Sequence, residues 1–425
     1  MKQIIIIVLL TLFSNNVFSQ SGWIQQNSGI TTNLNSVKFT NSNTGWCLGD
    51  RGIILKTTNG GINWIQQPSG FNIDLKSVSF PSANTGFAVG DSGLILKTTN
   101  GGNVWIKINT SITNFLKSVF FVNENIGFTG GFLAGGISNE PANLYRTINS
   151  SVSWDSITFL EANYITSIQF LNPSLGWATM GNTYWPSESV NKTTNGGISW
   201  IFQYVSNSFP TRSVFFIDSL NGWLSSKSSV TYLTILRTTN SGDNWLTEFP
   251  GTGFRINSLY FTDKRNGWAA GENRIIQATT NGGVNWINQT NFQSGVNYRS
   301  IYFTDSLTGW VVGDSGIILK TTTGGVLTNF TNTSTEIPGN YFLSQNYPNP
   351  FNPVTNLEFG ISKLGFVSLK VYDVLGSEIK TLVNENKPAG NYEIEFDAIH
   401  LSSGIYFYKI ETTEFTDVKK MMIIK

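Results

Sequence analysis

The feature that most constrains the fold is a nine-residue phrase that recurs at nearly equal intervals along the chain. It occurs as KTTNGGINW at 56–64, as KTTNGGNVW at 97–105 and as KTTNGGISW at 192–200. The copies that end in Trp finish at the following residues: Trp64, Trp105, Trp154, Trp200, Trp245 and Trp286. A seventh copy, KTTTGGVLT at 320–328, has Thr328 in place of the final Trp. Such a period predicts one small unit of structure that is stacked many times.

Two further phrases recur in step with the first. Ser-aliphatic-x-Phe begins at the following positions: Ser36, Ser77, Ser118, Ser167, Ser213, Ser258 and Ser300. An aromatic residue lies ten positions after each serine and directly follows a Gly: Trp46, Phe87, Phe128, Trp177, Trp223, Trp268 and Trp310. Seven units of 41 to 49 residues, each with room for four short strands, predict an all-β fold, a seven-bladed β-propeller. An open solenoid is the alternative.

The two ends of the repeat region are complementary. WIQQ occurs at 23–26, before the first complete unit, and again at 64–67 as the predicted outermost strand of that unit. The last unit lacks this strand, because Thr328 stands at the position of the Trp. We therefore expect the N-terminal strand that begins at Trp23 to complete the last unit. This closes a ring and leaves no unpaired edge, which favours a propeller over a solenoid.

Each unit predicts four strands and one specialised corner. Ser-aliphatic-x-Phe is expected innermost, Gly-aromatic second, GIILKTT third and WIQQ outermost. In the corner TNGG, Gly60 and Gly61 can adopt positive φ at little cost, and Asn59 can accept backbone N–H groups across the turn. Trp64 is expected to pack between units and to bury a large apolar area. The same structural role is expected for Trp23 and for the final Trp of every other copy.

The composition excludes several classes of partner and bond. Charged residues make up 12% of the 425 residues, and the formal net charge is +1. The chain therefore has no global field that would attract nucleic acid or an anionic membrane. The lone cysteine, Cys47, cannot form an internal disulfide and is expected to be buried.

The N-terminus predicts export. Residues 1–19 combine Lys2, an apolar run, and a small residue, Ser19, before a predicted cleavage site, as a secretory signal peptide does. The apolar run is too short to span a bilayer. No later segment predicts a transmembrane helix, and no cysteine lies at the cleavage site to carry a lipid.

A second domain is expected after the propeller, which we assign to residues 20–328. Residues 329–345 are polar and predict a linker. NYPNPFNPVT then begins at residue 346, and its prolines force extended backbone and mark a boundary. The segments that follow alternate in polarity, which predicts a small Ig-like β-sandwich over 346–425.

The distribution of histidine limits the chemistry of the propeller. The only histidine, His400, lies in the C-terminal region. Ser-His-Asp catalysis, Cys-His catalysis and His-ligated zinc are therefore excluded in the propeller. No phosphate-binding or dinucleotide fingerprint is present. We expect no catalytic residue, metal or cofactor, and binding is favoured over enzymatic activity.

Charged residues recur at two equivalent positions of the units. Turns of the form Gly-acid place the following carboxylates in units that adjoin once the ring is closed: Asp50, Asp91, Glu272 and Asp314. Such carboxylates suit glycoside hydrolysis or a hard cation, although Asp is also ordinary in a turn. A basic residue directly precedes the Ser of four inner strands: Lys76, Lys117, Arg212 and Arg299. These residues either form a basic rim for an anionic group at the central opening or are solvated strand starts.

Insertions fall between the second and third strands of units three, four and five, which places all three on one face. Two of them contain GGISNEPANLY at 135–145 and GNTYWPSESVN at 181–191. They predict an aromatic and acidic ligand platform made of the following residues: Glu140, Tyr145, Tyr184, Trp185 and Glu188. Neutral surface variation is the alternative.

The repeat resembles known families. TTNGGINW resembles the Asp-box of bacterial neuraminidase repeats, and the complete unit is more similar to the propeller of the photosystem II stability/assembly factor family, over about residues 20–328. Thr323 replaces the Asp of the box in the seventh copy. In the other six copies Asn replaces it: Asn59, Asn100, Asn149, Asn195, Asn240 and Asn281. The resemblance implies a propeller, and the second family implies an extracytoplasmic assembly factor.

The C-terminal region resembles the type A sorting domain of the type IX secretion system. The matching residues are Tyr347, Pro348, Asn349, Pro350, Phe351, Gly390, Tyr392, Gly404, Tyr406, Lys419 and Lys420. The resemblance implies contact with the type IX secretion machinery, passage across the outer membrane, and release or attachment at the cell surface.

These observations lead to one preferred hypothesis and two rivals. The preferred hypothesis is a secreted or surface-displayed propeller that binds a glycan or a protein. The first rival is a glycoside hydrolase that uses the propeller carboxylates. The second is an assembly factor for a membrane protein.

Overall fold

The computed structural model describes most of the chain. The described residues are 22–132, 142–159, 162, 164–181, 188–206, 211–227, 233–250, 254–290, 295–325, 330–332, 338–363, 365–387, 389–399 and 401–425. They form short antiparallel strands together with a few 3-10 turns, so the predicted all-β class is confirmed.

The strands of the repeat region follow the predicted phrases. The first seventeen are β1 (Gly22–Gln26), β2 (Leu34–Phe39), β3 (Gly45–Gly49), β4 (Ile54–Thr57), β5 (Ile65–Gln67), β6 (Leu75–Ser79), β7 (Gly86–Gly90), β8 (Ile95–Thr98), β9 (Ile106–Lys107), β10 (Phe115–Phe121), β11 (Gly127–Phe132), β12 (Ala142–Thr147), β13 (Asp155–Phe159), β14 (Tyr164–Phe170), β15 (Gly176–Gly181), β16 (Glu188–Thr193) and β17 (Ile201–Ser206). The next eleven are β18 (Ser213–Phe216), β19 (Gly222–Lys227), β20 (Leu233–Thr238), β21 (Leu246–Pro250), β22 (Ile256–Phe261), β23 (Gly267–Gly271), β24 (Ile276–Thr279), β25 (Ile287–Asn288), β26 (Tyr298–Phe303), β27 (Gly309–Gly313) and β28 (Ile318–Gly325).

These strands form four-stranded units in the predicted order. In the first unit the order is β2-β3-β4-β5, and β6 to β9, β18 to β21 and β22 to β25 repeat it. Strands β10 to β13 and β14 to β17 belong to one eight-stranded sheet, in which a single residue pair, Phe132 with Tyr164, joins β11 to β14. Ser-aliphatic-x-Phe therefore starts each unit, and the Trp-led strand ends it.

The N-terminal strand completes the last unit. The sheet order there is β1-β28-β27-β26, and Ile24 lies opposite Lys320. The Trp23 indole donates a hydrogen bond to Gln289 Oε1 at 3.0 Å. The pairing predicted from the displaced copy of WIQQ is confirmed.

The TNGG corner is held by side-chain hydrogen bonds. Asn59 Oδ1 accepts from the Asn63 N–H at 3.0 Å, and Thr57 Oγ1 accepts from the Gly61 N–H at 2.9 Å. Gly60 and Gly61 have φ of 68° and 92°, a region that costs a residue with a Cβ more than it costs glycine. The predicted role of Asn59 as an acceptor across the turn is confirmed.

Serine hydroxyls link each inner strand to the next. Ser36 Oγ accepts from the Val78 N–H of the following unit at 3.3 Å. The same bond recurs between Ser77 and Val119, Ser118 and Ile168, Ser167 and Val214, Ser213 and Leu259, and Ser258 and Ile301. The series returns to the first unit, because Ser300 Oγ accepts from the Val37 N–H at 3.3 Å.

The Phe of each inner strand is packed between two aromatic rings. Phe39 stacks on Trp310 of the last unit with centroids 3.6 Å apart and meets Trp64 of its own unit edge-to-face at 5.9 Å. The stack recurs for Trp46 with Phe80, Phe87 with Phe121, Phe128 with Phe170, Trp177 with Phe216, Trp223 with Phe261, and Trp268 with Phe303. Each final Trp thus packs at a junction between units, as the sequence predicts.

The C-terminal region folds into two further sheets with a shared core. Its strands are β29 (Phe330–Asn332), β30 (Phe342–Leu343), β31 (Val354–Ile361), β32 (Gly365–Tyr372), β33 (Glu378–Lys387), β34 (Gly390–Asp397), β35 (Gly404–Thr412) and β36 (Thr416–Ile423). The sheet orders are β29-β34-β31-β30 and β33-β32-β35-β36. Phe359 of the first sheet and Leu369 of the second lie in one cluster of buried side chains.

The segment between the two regions contributes strands. The sequence predicts a linker over 329–345, yet β29 pairs with β34, and β30 pairs with β31. The first sheet of the C-terminal region therefore starts within this segment and continues past residue 346.

The Gly that precedes each second-strand aromatic gives a testable consequence. A Cβ on Gly45 would lie 2.5 Å from the Phe39 ring, which is fully buried. We expect Gly45→Ala to lower the free energy of unfolding by about 1–3 kcal/mol through overpacking. Urea denaturation measures this loss. The control is Gly339→Ala, because a Cβ there meets nothing within 4 Å. Equal stability of the two variants would refute the packing account.

Candidate functional site

The predicted charged positions lie at one edge of the repeat units. Leu34, at the start of the first inner strand, pairs with Gly49 at the end of the second strand. The residue before each Ser and the acid that opens each 3-10 turn are therefore neighbours. We name the following residues the charged rim: Asp50, Asp74, Lys76, Asp91, Lys117, Arg212, Arg255, Glu272, Arg299 and Asp314.

Asp50 is held in its ionised form. Its carboxylate accepts hydrogen bonds from Asn33 Nδ2 at 2.9 Å and from Asn35 Nδ2 at 2.7 Å. Lys76 Nζ lies 3.2 Å away. Burial acts to raise the pKa of Asp50, but these amide bonds and the lysine charge together lower it to about 2.

Lys76 lies among three carboxylates. Its ammonium is 2.8 Å from Asp74, 3.2 Å from Asp50 and 3.9 Å from Asp91, and its side chain is only 14% exposed. Burial acts to lower the pKa of Lys76, but the three carboxylates raise it. Asp91 behaves differently from Asp50, because burial raises its pKa despite the charges of Lys76 and Lys117.

The charged rim continues across the junction between the last and first units. Arg299 Nε donates to Asp314 Oδ1 at 2.6 Å, and Arg299 Nη1 donates to Asn35 Oδ1 at 2.9 Å. Because Asn35 also binds Asp50, one hydrogen-bonded chain runs from Asp314 to Lys76. Asp314 and Asp50 are thus linked through Arg299 and Asn35, and Asp50 and Asp91 share Lys76.

Glu272 occupies the equivalent turn of the sixth unit, yet it has a different partner. Its carboxylate lies 3.9 Å from Arg255 Nη1, and its N–H donates to the Arg255 carbonyl at 2.8 Å. Arg255 is two residues nearer the N-terminus than the residue before Ser258, a position that the repeated phrase does not mark as charged. Asp74 lies at the same distance from Ser77.

Two cations of the charged rim have no anionic partner. Within the described part of the chain, no carboxylate lies within ion-pair distance of Lys117 or Arg212. Lys117 Nζ lies 4.9 Å from the centre of the Phe132 ring. Burial lowers the pKa of Lys117, and the charge of Lys76 adds to the effect. Arg212 is exposed, yet desolvation by the surrounding residues lowers the pKa of its guanidinium; the charges of Arg255 and Arg299 act in the same direction and that of Glu272 opposes them.

The four basic residues that precede a Ser therefore differ in their surroundings. Lys76 and Arg299 are neutralised by carboxylates, whereas Lys117 and Arg212 are not. In other units the residue before the Ser is uncharged and makes a hydrogen bond to the neighbouring unit instead. Asn257 Nδ2 donates to the Tyr298 carbonyl at 2.8 Å, for example. The rim can accept an anionic group on the side of Arg212, and the carboxylates of Asp50, Asp74 and Asp314 are already hydrogen-bonded to side chains of the protein.

The predicted platform on the inserted segments is only partly within the described residues. Glu140, Tyr184 and Trp185 lie outside them, as does the side chain of Glu188. Tyr145 contradicts the prediction, because it is only 9% exposed and its hydroxyl donates to Asn114 Oδ1 at 3.0 Å. The reason is that β12 already begins at Ala142, so Tyr145 is a strand residue that faces the core.

Two kinds of feature are absent from the described residues. No group of three or more His, Cys, Asp and Glu side chains is arranged to hold a metal ion. No helix there is long and apolar enough to cross a membrane. The lone Cys47 is fully buried, and burial raises the pKa of its thiol.

The C-terminal motif residues occupy defined positions. Phe351 is buried in the core of the two sheets, whereas Tyr347 is 81% exposed. Pro348, Asn349 and Pro350 are also exposed. Gly390 and Gly404 begin β34 and β35. Lys419 lies 3.2 Å from Asp417 and so differs from the exposed Lys420.

Family models match both regions. Residues 15–123 and 252–350 match the model for the photosynthesis system II assembly factor YCF48. Residues 345–425 match the model for a secretion system C-terminal sorting domain. No curated protein matches the chain.

Solved structures share the fold at low identity. A structure of YCF48 bound to a D1 peptide has a TM-score of 0.57 at 20% identity and covers 71% of this chain and 97% of its own. YCF48 from Cyanidioschyzon merolae has a TM-score of 0.55 at 21% identity, and the match covers 70% of this chain and 98% of the YCF48 chain. PorZ, a surface component of the type IX secretion system of Porphyromonas gingivalis, has a TM-score of 0.53 at 12% identity. The match covers 92% of this chain and 59% of the PorZ chain.

Together these findings define the class of protein. The chain has a YCF48-like β-propeller region followed by a C-terminal sorting domain of the type IX secretion system. The sorting domain directs it through type IX secretion to the cell surface or the extracellular space. The predicted resemblances to the photosystem II assembly factor family and to the type IX sorting domain are confirmed.

The two equivalent acids of the first two units should respond oppositely to neutralisation. The pKa of Asp50 is lowered in the folded state, so its charge stabilises the fold above about pH 4. That contribution is lost as the pH falls towards about 2. We expect Asp50→Asn to cost about 1–2 kcal/mol at pH 7, after allowance for solvent screening.

Asp91→Asn is the matched comparison. Burial raises the pKa of Asp91, so the folded state disfavours its charge at neutral pH. We expect this variant to be as stable as the natural chain or more stable. Urea denaturation at pH 7 and near pH 2.5 measures the free energy of unfolding of both variants. Equal destabilisation by the two substitutions at pH 7 would contradict the electrostatic account.

Proposed function

We propose that the chain is an exported seven-bladed β-propeller that binds an anionic segment of a protein at the charged rim. The domains proposed are a signal peptide over 1–19, the propeller over 20–328, a connecting segment over 329–345 and an Ig-like sorting domain over 346–425. The serine hydrogen bonds that return from Ser300 to Val37 support a ring of seven blades closed by the N-terminal strand.

One observation carries the proposed binding activity. Arg212 and Lys117 are cations without an anionic partner in the described part of the chain; Lys117 is half-buried, whereas Arg212 is exposed and can be reached by a ligand. An anionic ligand group would form charge-assisted hydrogen bonds with the guanidinium of Arg212. The carboxylates of Asp50, Asp74 and Asp314 are already hydrogen-bonded, so they would not need to rearrange.

The ligand class is proposed from the comparisons and the charge. A protein with the same fold, YCF48, has been solved with a D1 peptide bound. A peptide segment with acidic side chains or a free carboxylate supplies the anion that Arg212 lacks. The assembly-factor hypothesis is a special case of this proposal, in which the bound segment belongs to a membrane protein. A glycan ligand on the inserted segments, with Trp185 and Tyr184, remains the rival among binding modules.

The geometry argues against the glycoside hydrolase. A hydrolase needs two carboxylates with free space between them for the scissile bond. Asp50 and Asp91 instead share one ion-pair partner, because the Lys76 ammonium lies 3.2 Å from Asp50 and 3.9 Å from Asp91. An ammonium this close to both carboxylates leaves little room for a scissile bond beside them.

The proposal predicts the effect of removing the unpaired guanidinium. The natural chain should bind a subset of an array of acidic and neutral peptides, and the binding should weaken as salt rises. Arg212→Gln should reduce the affinity for those peptides by roughly 10- to 100-fold, the cost of a charge-assisted hydrogen bond.

The control for Arg212→Gln is Arg265→Gln, because Arg265 is an exposed arginine in the turn between β22 and β23, at the opposite edge of its unit. Equal affinity of the natural chain and Arg212→Gln would rule out binding at the charged rim. Binding to a glycan panel that is lost in Trp185→Ala, with no peptide bound, would favour the inserted segments.

A further inference from the structure

A second concave site lies at the junction between the first and second units. It has a volume of about 230 Å³ and is lined by side chains of the first unit between residues 56 and 67 and by Asn103 of the second unit. We name it the junction groove. The corner beside it is held to the turn between β2 and β3, because the Gly60 N–H donates to the Asn43 carbonyl at 2.8 Å. The junction groove therefore lies at the opposite edge of the unit from the charged rim.

Lys56 supplies the charge of the junction groove. Its ammonium lies 5.8 Å from the centre of the Trp46 ring and donates to Asn103 Oδ1 at 2.9 Å. An ammonium has three donor positions, so two of them are unused. No carboxylate of the described residues lies within ion-pair distance of Lys56. Burial lowers the pKa of Lys56, an effect that a bound anion would oppose.

The equivalent lysine of the second unit has more partners within the protein. Lys97 Nζ donates to the Ser150 carbonyl at 3.0 Å and to Ser150 Oγ at 2.7 Å. Both acceptors lie in the corner of the third unit, as Asn103 lies in the corner of the second. Lys97 thus uses two of its donor positions on the protein, whereas Lys56 uses one and can donate to a ligand.

Two amide side chains beside Lys56 also have unused donors. Asn59 Oδ1 is occupied within the corner, but Asn59 Nδ2 makes no hydrogen bond within the described structure. In the fourth unit the equivalent Asn195 Nδ2 donates to Ser199 Oγ at 2.8 Å. Asn63 replaces that serine in the first unit, and its side chain is exposed and has no hydrogen-bond partner among the described residues. Lysine together with both asparagines occurs in this copy of the phrase alone.

The rest of the lining suits a sugar ring. Gln67 Nε2 donates to the Ile65 carbonyl at 3.3 Å, which leaves Gln67 Oε1 to accept from a hydroxyl. The Ile65 side chain is 64% exposed and offers apolar surface to the C–H groups of a ring. The volume is below the roughly 300–1,000 Å³ of sites for drug-sized ligands, so the groove fits one ring of a longer chain.

We propose that the junction groove binds an acidic sugar, that is, a sugar ring with a carboxylate. Lys56 and the amide groups of Asn59 and Asn63 would hold the carboxylate by charge-assisted and neutral hydrogen bonds. Gln67 would accept from a ring hydroxyl. The inference is independent of the peptide ligand proposed for the charged rim, because the two sites lie at opposite edges of the unit.

Isothermal titration calorimetry of the full chain with trigalacturonate tests the proposal, and maltotriose serves as a neutral sugar of the same length. We expect trigalacturonate to bind about tenfold or more tightly than maltotriose, and its binding to weaken as salt rises. Lys56→Gln should lower the affinity for trigalacturonate by roughly 10- to 100-fold. Asn63→Ala should lower it by roughly 2- to 10-fold, the effect of a neutral hydrogen bond.

Two matched controls come from other copies of the phrase. Lys97→Gln removes the equivalent lysine that already has two acceptors in the protein. Asn285→Ala removes the equivalent of Asn63 in the sixth unit, where Ala278 stands in place of the lysine. Both variants should bind trigalacturonate like the natural chain. Thermal unfolding checks that all four variants fold.

Several outcomes would overturn the proposal. One is equal affinity of the natural chain and folded Lys56→Gln, and another is equal loss in Lys56→Gln and Lys97→Gln, which would indicate a general attraction to positive charge. Affinity that falls in Arg212→Gln but not in Lys56→Gln would place the sugar at the charged rim instead. Failure of the natural chain to bind trigalacturonate would also refute it. If Lys56→Gln does not fold, Asn63→Ala decides the matter, because the fold uses no hydrogen bond of that side chain.

Discussion

The fold depends on a phenylalanine ring packed between two other aromatic rings at every junction between units. Phe39 illustrates the arrangement, with Trp310 stacked on its face and Trp64 at its edge. Stacked and edge-to-face pairs each add stabilisation beyond the area they bury. Because one of the two rings comes from the neighbouring unit, no unit can complete its own core. This dependence requires the units to be arranged one after another.

The same packing accounts for the small residues of the repeat. Gly45 leaves the space that the Phe39 ring occupies, and Gly61 lies beside the indoles of Trp64 and Trp310. The serine hydroxyls then align neighbouring inner strands by hydrogen bonds to backbone N–H groups. Because the core fixes the position of the inner strands, the charged rim at their ends can hold charged side chains close together. Lys76 among three carboxylates and Arg212 without one are two results of that placement.

Much of the architecture could be predicted because it is repeated. The strand order, the acceptor role of Asn59 and the pairing of the strand at Trp23 all follow from comparing one copy of the phrase with the others. The site could be predicted only in part. The surroundings of Lys76 depend on Asp50 from one unit and Asp74 from the next, and no single phrase contains both. Tyr145 was placed in a loop, because nothing in the local sequence shows that β12 starts as early as Ala142.

The central claim is that the units form a ring that the N-terminal strand closes. Hydrogen exchange of the backbone amides of β28 tests it most directly. In a closed ring β28 lies between β27 and β1, as β4 lies between β3 and β5. The account predicts that residues 318–320 are protected to the same degree as residues 54–56. Exchange of residues 318–320 as fast as that of the outermost strand β5 would show an unpaired edge and would contradict it.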